Sequence, residues 1–348
     1  MSTNSTSSTI VTASMNLASS AGQANQAHGN SIFHNREAPW YGLGSNVEGA
    51  LGSGEALRLA GLDWGVESRP IYTALPGLDC PSGNVYTSKD FAVPNYKANV
   101  RATDGAVLGV VTDRYKIVQN EEAFAFTDDL IGEGVQYVSA GSFQNGRRVW
   151  ILAKLPDRYI IAGERIEPYM VFSNSHDGSS AIRVAMTPIR VLCNNILNLA
   201  FQQAKRSWSA KHTQSVHNRM HEARCTLGLA HAYMDGIGKE FDALARIRLT
   251  DAKVIEFIDE LIPLSADASD VQRKNVEQLR DDVKMRYFEA PDLKILGKNG
   301  YRFVNAISDH ATHVKPLRET SNYRENLFLR TLEGHAMIDK AHAMVRAS

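Results

Sequence analysis

The residues best suited to chemistry in this chain are cations set among amides and aromatics between about residues 140 and 225. Arg147, Arg148, Trp150, Lys154, Arg158, Tyr159 and Arg183 fall on stretches that read as strands. Arg190, Asn194, Asn198 and Gln202 then follow at steps of four, and Lys205, Arg206 and Lys211 extend a stripe that contains no carboxylate. Guanidinium, ammonium and amide groups donate hydrogen bonds to phosphate oxygens and to base edges. Cationic grooves with aromatic platforms hold single strands, because every base has a face to stack. Strand parity puts Arg148, Trp150 and Lys154 on one face. The competing reading makes Trp150 a core residue, pairs the arginines with acids from 121–133, and treats the stripe as an ordinary solvated helix face.

Other constellations carry less. Ser175-His176-Asp177 has the residue types of a catalytic site, but neighbours on a hairpin turn do not aim at one point, and Asp177 is accounted for by the turn. His217 and His221 are four apart with Glu222 outside the pair, which is not the H-E-x-x-H order of a zinc peptidase. His310 and His313 likewise lack a third ligand. No phosphate-binding Gly-rich loop and no G-x-S-x-G occurs. The sequence therefore calls for no metal and no cofactor, and the reading favours a protein that is not an enzyme.

Charge is distributed unevenly along a chain whose formal net charge is zero. Residues 1–140 hold 8 Lys and Arg against 14 Asp and Glu, residues 141–224 hold 12 against 5, and residues 225–348 hold 18 against 19. The middle segment is thus +7, which suits an anionic partner unless the acidic leading segment folds against it. Cys80, Cys193 and Cys225 are odd in number and form no C-x-x-C, as in a reducing compartment. With no long apolar run, the expectation is a cytoplasmic protein with no membrane span.

The elements that must position these residues read as an α+β fold: an antiparallel, hairpin-rich sheet with packed helices, followed by an α-helical C-terminal region. Residues 1–30 carry no charged side chain and read as a disordered tail. Residues 31–210 read as the α+β core and 211–348 as the mainly helical region. Asp104-Gly105, Asn145-Gly146 and Asp177-Gly178 supply the positive φ of tight hairpins, and Ala162-Gly163-Glu164 suggests a fourth. A helix is expected from Asn120 to Gly132. A second should start at Thr187-Pro188, an N-cap followed by Pro, with Ile189, Leu192, Ile196 and Leu199 on its apolar face. Asp251–Ile262, Val271–Tyr287 and Tyr323–Val345 complete the expected helices.

Several segments together carry a resemblance. They are Pro39-Trp40-Tyr41-Gly42-Leu43-Gly44, Val100-Arg101 through Leu108-Gly109 to Arg114-Tyr115 and Gln119-Asn120, and Asn174-Ser175-His176-Asp177-Gly178-Ser179 leading to Thr187-Pro188-Ile189-Arg190-Val191-Leu192-Cys193-Asn194-Asn195. In this order they resemble the phage/plasmid-like protein family of domain of unknown function 932, across roughly residues 38–346. The family pattern has Trp-His-Gly where this chain has Tyr41. The resemblance implies a mobile element in a bacterial host cytoplasm, with no established activity. The strand and helix order over 97–155 is also similar to the core of phage strand-annealing proteins of the Redβ and Erf type, which would imply homo-oligomers with single-stranded DNA in a basic groove.

These readings converge on a protein that binds single-stranded DNA (or RNA), a recombination mediator or strand-annealing protein. The alternative is a non-catalytic interaction protein that modulates a host enzyme or defence system through its basic region. An enzyme built around His176, Asp177 and Arg190 is the third expectation.

Overall fold

The computed structural model describes residues 43–73, 91–130, 136–156, 159–190, 195–196, 207–216, 229–314, 320 and 322–348. The expected tail of residues 1–30 lies outside them. The fold is α+β, as the hairpin signals and helical periods imply.

Turn chemistry builds the strands. Asp104 and Gly105 (φ 73°) reverse the chain between β3 (Phe91–Arg101) and β4 (Val107–Thr112). With β2 (Val66–Thr73) these form a small antiparallel sheet in the order β2-β3-β4. Gln144, Asn145 and Gly146, all at positive φ, turn β5 (Gln136–Phe143) into β6 (Arg148–Lys154). Ala162 and Gly163 do the same between β7 (Tyr159–Ile161) and β8 (Glu164–Ser175), and Gly178 between β8 and β9 (Ile182–Arg190). Asn and Gly tolerate this left-handed region and mark each reversal locally, while Gln144 and Ala162 are drawn into it beside them.

The large sheet runs β1-β5-β6-β8-β9-β10, where β1 is Ser45–Asn46 and β10 is Asn195–Ile196. β7 pairs with β8, and β11 (Ser207–Ala210) pairs with β9. Both faces of this sheet are covered. Phe143, Trp150, Leu152, Tyr169, Val171, Ala185 and Ile189 cluster on one face with Phe328. Val149, Ile151, Ala153, Met170 and Phe172 are buried on the other, where α1 (Ser53–Leu59) packs on β5 and α2 (Asn120–Leu130) meets β8. Two covered faces remove the apolar–polar alternation of a half-buried sheet.

The expected helix from Thr187-Pro188 is corrected by the structure. β9 continues through Thr187, Pro188 and Ile189 to Arg190, and then turns back onto itself as β10. Pro188 lies opposite Pro168 of β8, and Ile189 and Arg190 oppose Glu167 and Ile166. Cross-strand pairing with the long β8 overrides a local N-cap signal, and no described residue places Arg190 on a helical stripe.

The C-terminal helices are α3 (Leu229–Arg246), α4 (Asp251–Leu261), α5 (Asp270–Glu289), the short α6 (Pro291–Lys294), α7 (Gly300–His313), α8 (Tyr323–Glu333) and α9 (Ala336–Arg346). Thr250 caps α4, Ser269 and Gln272 form a capping box on α5, and Asn299 caps α7. The helix expected over Tyr323–Val345 is two, broken where Gly334 takes φ 89° and His335 caps α9. α7 is buried from Gly300 to Thr312, packed by α3, α5 and α9 and touching β10. Among the described residues, no helix is long and apolar enough to cross a membrane.

Candidate functional site

The small sheet docks on the turn between β8 and β9, and that junction buries several polar groups, among them Asn99, Asn120, Asn174, Ser175, His176 and His212. Asn99 of β3 donates through Nδ2 to the His176 carbonyl at 2.7 Å. Tyr115 donates its hydroxyl to the Ser175 carbonyl and stacks on His212, ring centroids 4.5 Å apart. Gly109 of β4 passes so close to Asp177 that any side chain there would strike its backbone. Beyond β11, His212 accepts the Lys116 amide at its carbonyl (3.0 Å), while its Nδ1 lies 3.0 Å from the Lys116 carbonyl.

Ser175, His176 and Asp177 do not form a nucleophile–base pair. The Ser175 hydroxyl donates to Asp177 Oδ1 at 2.6 Å, and Asp177 also accepts the Ser179 amide (2.9 Å) and hydroxyl. Burial would raise the Asp177 carboxyl, but these donors and nearby Arg148 hold it below the usual range. His176 is fully buried, its Nε2 2.8 Å from Asn120 Oδ1. Because the Asn120 amide nitrogen donates to the Leu62 carbonyl, the His176 proton belongs on Nε2. Nδ1 is left buried without a partner. Burial, with lesser contributions from His212 and Arg101, pushes His176 down to about 3, so it is neutral at neutral pH. Burial lowers His212 as well.

The predicted cations separate into two groups. Arg147 is exposed on the β5–β6 turn, and Arg148 is half-buried with Nε donating to Ser179 Oγ at 3.0 Å. Arg183 sits opposite Ser173 on one side and Ser209 of β11 on the other, and with Arg148, Ser173 and Ser180 it lines a small pocket. Lys211 is exposed just past β11. These four share one end of the large sheet. The small sheet's trailing segment adds exposed Arg114 and Lys116 to the same end, which no local signal in the sequence had marked. Among the described residues, Arg114, Lys116, Arg147 and Lys211 engage no carboxylate.

The other group lies at the far end, six residues along β6, about 20 Å away at strand rise. Lys154 pairs with Glu167 at 2.8 Å, and Tyr159 opens β7, half-buried. Arg190 is wholly buried. Its Nε donates to Glu164 Oε2 at 2.6 Å, Nη1 to Asp292 Oδ2 and Nη2 to the Asp292 carbonyl, both at 2.8 Å. Tyr301 joins Glu164 at 3.3 Å. A guanidinium so engaged has no phosphate to meet, which corrects the reading of Arg190 as a surface donor. Trp150 is corrected too: it is buried against Phe143 and Phe328 (centroids 5.9 and 4.6 Å) and offers no face to a base. Arg158, Asn194, Asn198, Lys205 and Arg206 lie outside the described residues, as do His217 and His221. His310 Nδ1 is 2.6 Å from Asp282 in an ion-pair cluster with Arg286. Among the described residues, no three His, Cys, Asp or Glu side chains are arranged to hold a metal.

Neither curated proteins nor solved structures return a match to this chain. Residues 107–331, well over half of the sequence and taking in the cationic end and the polar junction apart from Asn99, match the family described as Domain of unknown function (DUF932), and the chain belongs to that family.

Proposed function

We propose that this protein binds single-stranded nucleic acid at the end of the large sheet where the small sheet docks. The observation that carries the reading is a continuous line of bonded neighbours. Lys116 bonds to His212, beside Lys211; β11 then pairs with β9 at Arg183; Arg183 opposes Ser173; and Arg147 bonds through its carbonyl to the His176 amide, next to Arg148. The acids of this end are fewer. Asp104 is engaged by Arg101, and Asp177 is turned inward onto Ser175 and Ser179. Asp113 remains exposed, and Glu325 of α8 accepts the Gln144 amide on the β5–β6 turn at 3.2 Å.

Four exposed cations (Arg114, Lys116, Arg147 and Lys211) with half-buried Arg148 and Arg183 beside them suit the phosphates of a polynucleotide. All six lie on turns and strand ends, and none on a helix that could enter a major groove. This favours a flexible single strand over duplex, the binding that a recombination mediator or strand-annealing protein requires.

Anisotropy of a labelled 30-nucleotide single strand tests the proposal. The wild type should bind at low salt, with affinity falling as salt rises by roughly 0.7 of a log unit per log unit for each phosphate contact. Arg147→Glu with Lys211→Glu should weaken binding at least about 10-fold and flatten that slope, with unchanged thermal unfolding. Absence of wild-type binding at low salt ends the proposal.

A further inference from the structure

Beside the cationic end is a polar cleft of about 410 Å³, bounded by Leu43–Ser45, Ala60–Leu62, Trp64, Arg101, Gly141–Ser142 and Asn145. It shares the β5–β6 hairpin with Arg147 and Arg148. Its floor is bare main chain: Gly44 and Gly141 lie against one another over the edge of buried Trp150, with no room for a Cβ on either. One wall is the half-buried Trp64 indole, with the Arg101 guanidinium carbon 4.8 Å from its ring centroid. Among the described residues, no acidic side chain lines the cleft.

Arg101 borders this space with 14% of its side chain exposed, so a ligand there reaches its Nη groups and not the buried Nε. A guanidinium carries five N–H donors. Nη1 engages Asp104 at 3.1 Å and Nη2 the Asn145 carbonyl, with Asn145 Oδ1 at 3.5 Å, while Nε is buried with no acceptor. The volume falls within the range of small-ligand sites, about 300–1,000 Å³. A drug-like apolar pocket would not be walled by backbone, serine and asparagine. The lining suits a ligand with a flat ring, many hydrogen-bonding edges and a negative charge.

We propose that the cleft receives one nucleotide of the bound strand, its base against Trp64 and the glycine floor and its phosphate at Arg101. The inference rests on the nucleic-acid reading above and adds to it a place for one unstacked base. Proteins that take a base out of the stack hold it in such a side pocket, against an aromatic face that every base can stack on.

The test uses the full chain and a fluorescein-labelled single strand carrying 5-iodouracil, irradiated and mapped by mass spectrometry. Cross-links should concentrate on the peptide containing Trp64. Ala60→Trp, which fills the cleft from the end of α1, should cut that cross-link at least about 5-fold and weaken binding about 10-fold. The salt slope should fall by only about 0.7, the one phosphate contact at Arg101, because the phosphate contacts of the rim remain. Ser142→Phe fills the cleft from the opposite wall and should repeat the effect if the first variant misfolds. Cross-links mapping elsewhere, or wild-type affinity in a folded cleft-filling variant, would overturn the inference while leaving strand binding intact. No binding by the wild type would remove both.

Discussion

At the scale of single residues, the fate of Ser175, His176 and Asp177 turns on burial that local sequence does not record. The Asp-Gly turn was legible because a left-handed glycine is a local demand. That the turn would lie beneath a second sheet was not legible, since the bond from Asn99 to the His176 carbonyl joins residues 77 apart. The same holds for Trp150, read equally well as platform or core, and for Arg190, whose partner Asp292 is 102 residues away. A buried neutral histidine has a measurable consequence. Above about pH 6.5, its ordinary value, His176 is neutral in both states and contributes no pH dependence. Between there and about 3, the unfolded chain takes up a proton that the folded chain refuses. Stability therefore falls as pH falls, by up to about 1.4 kcal/mol per pH unit. His212 shifts in the same direction and adds to the slope. Asp177, held below its ordinary value, adds its own loss only at more acid pH. Urea midpoints at pH 7 and pH 5 should show the loss in the wild type and a smaller difference in His176→Gln, which keeps an amide donor for Asn120 but does not titrate. Equal differences in the two proteins would acquit His176.

At the scale of elements, the hairpins were legible and the helix expected at Thr187-Pro188 was not. Four reversals announce themselves through Asn, Asp and Gly, and the capped helices α4 and α5 through period and polar starts. The stretch from Ile182 to Leu199 carries both a strand signal and a helical spacing of apolar residues. Only pairing with the twelve-residue β8 decides between them. The docking of one sheet on the other depends in turn on a single missing side chain. Gly109 lets β4 reach Asp177, and the atoms a Cβ would meet are Asp177 backbone, which cannot swing away. Gly109→Val should therefore cost about 1–3 kcal/mol or more as the turn is forced off β4, and should weaken strand binding by displacing the line from Lys116 to Arg148. Gly54→Ala in α1, where a Cβ meets nothing, is the control and should be neutral or stabilising by roughly 0.5–1 kcal/mol. Thermal unfolding and anisotropy on both variants check this. A Gly109→Val protein as stable as wild type would mean that the two sheets do not rely on that approach.

At the scale of the whole molecule, the described cations of residues 141–224 fall into two populations. One is the open rim at the hairpin end. The other is sunk into contacts with acids: Lys154 and Arg165 meet at Glu167, and Arg190 is held between Glu164 and Asp292. Through Arg190 and Asp292 that second set ties the sheet to the helices, across the division at residues 210 and 211 that the sequence suggests. Asp292 and Tyr301 complete a buried ion-pair group whose other members are on β8 and β9, and Phe328 of α8 covers Trp150. Breaking a buried charge pair costs about 3–5 kcal/mol, and exposing one face of a two-faced sheet costs more. A fragment ending after β11, residues 36–216, should therefore fail to hold fixed tertiary structure even though it contains every strand described. Its near-UV circular dichroism should be flat and its amides unprotected, while the full chain should lose sheet and helix signals in one coincident urea transition. If the fragment instead gives dispersed amide resonances, or the full chain unfolds in two steps with the sheet outlasting the helices, then Arg190 and Phe328 join two units that are already stable apart. The rim of cations could in that case be studied, and could bind, without the helices.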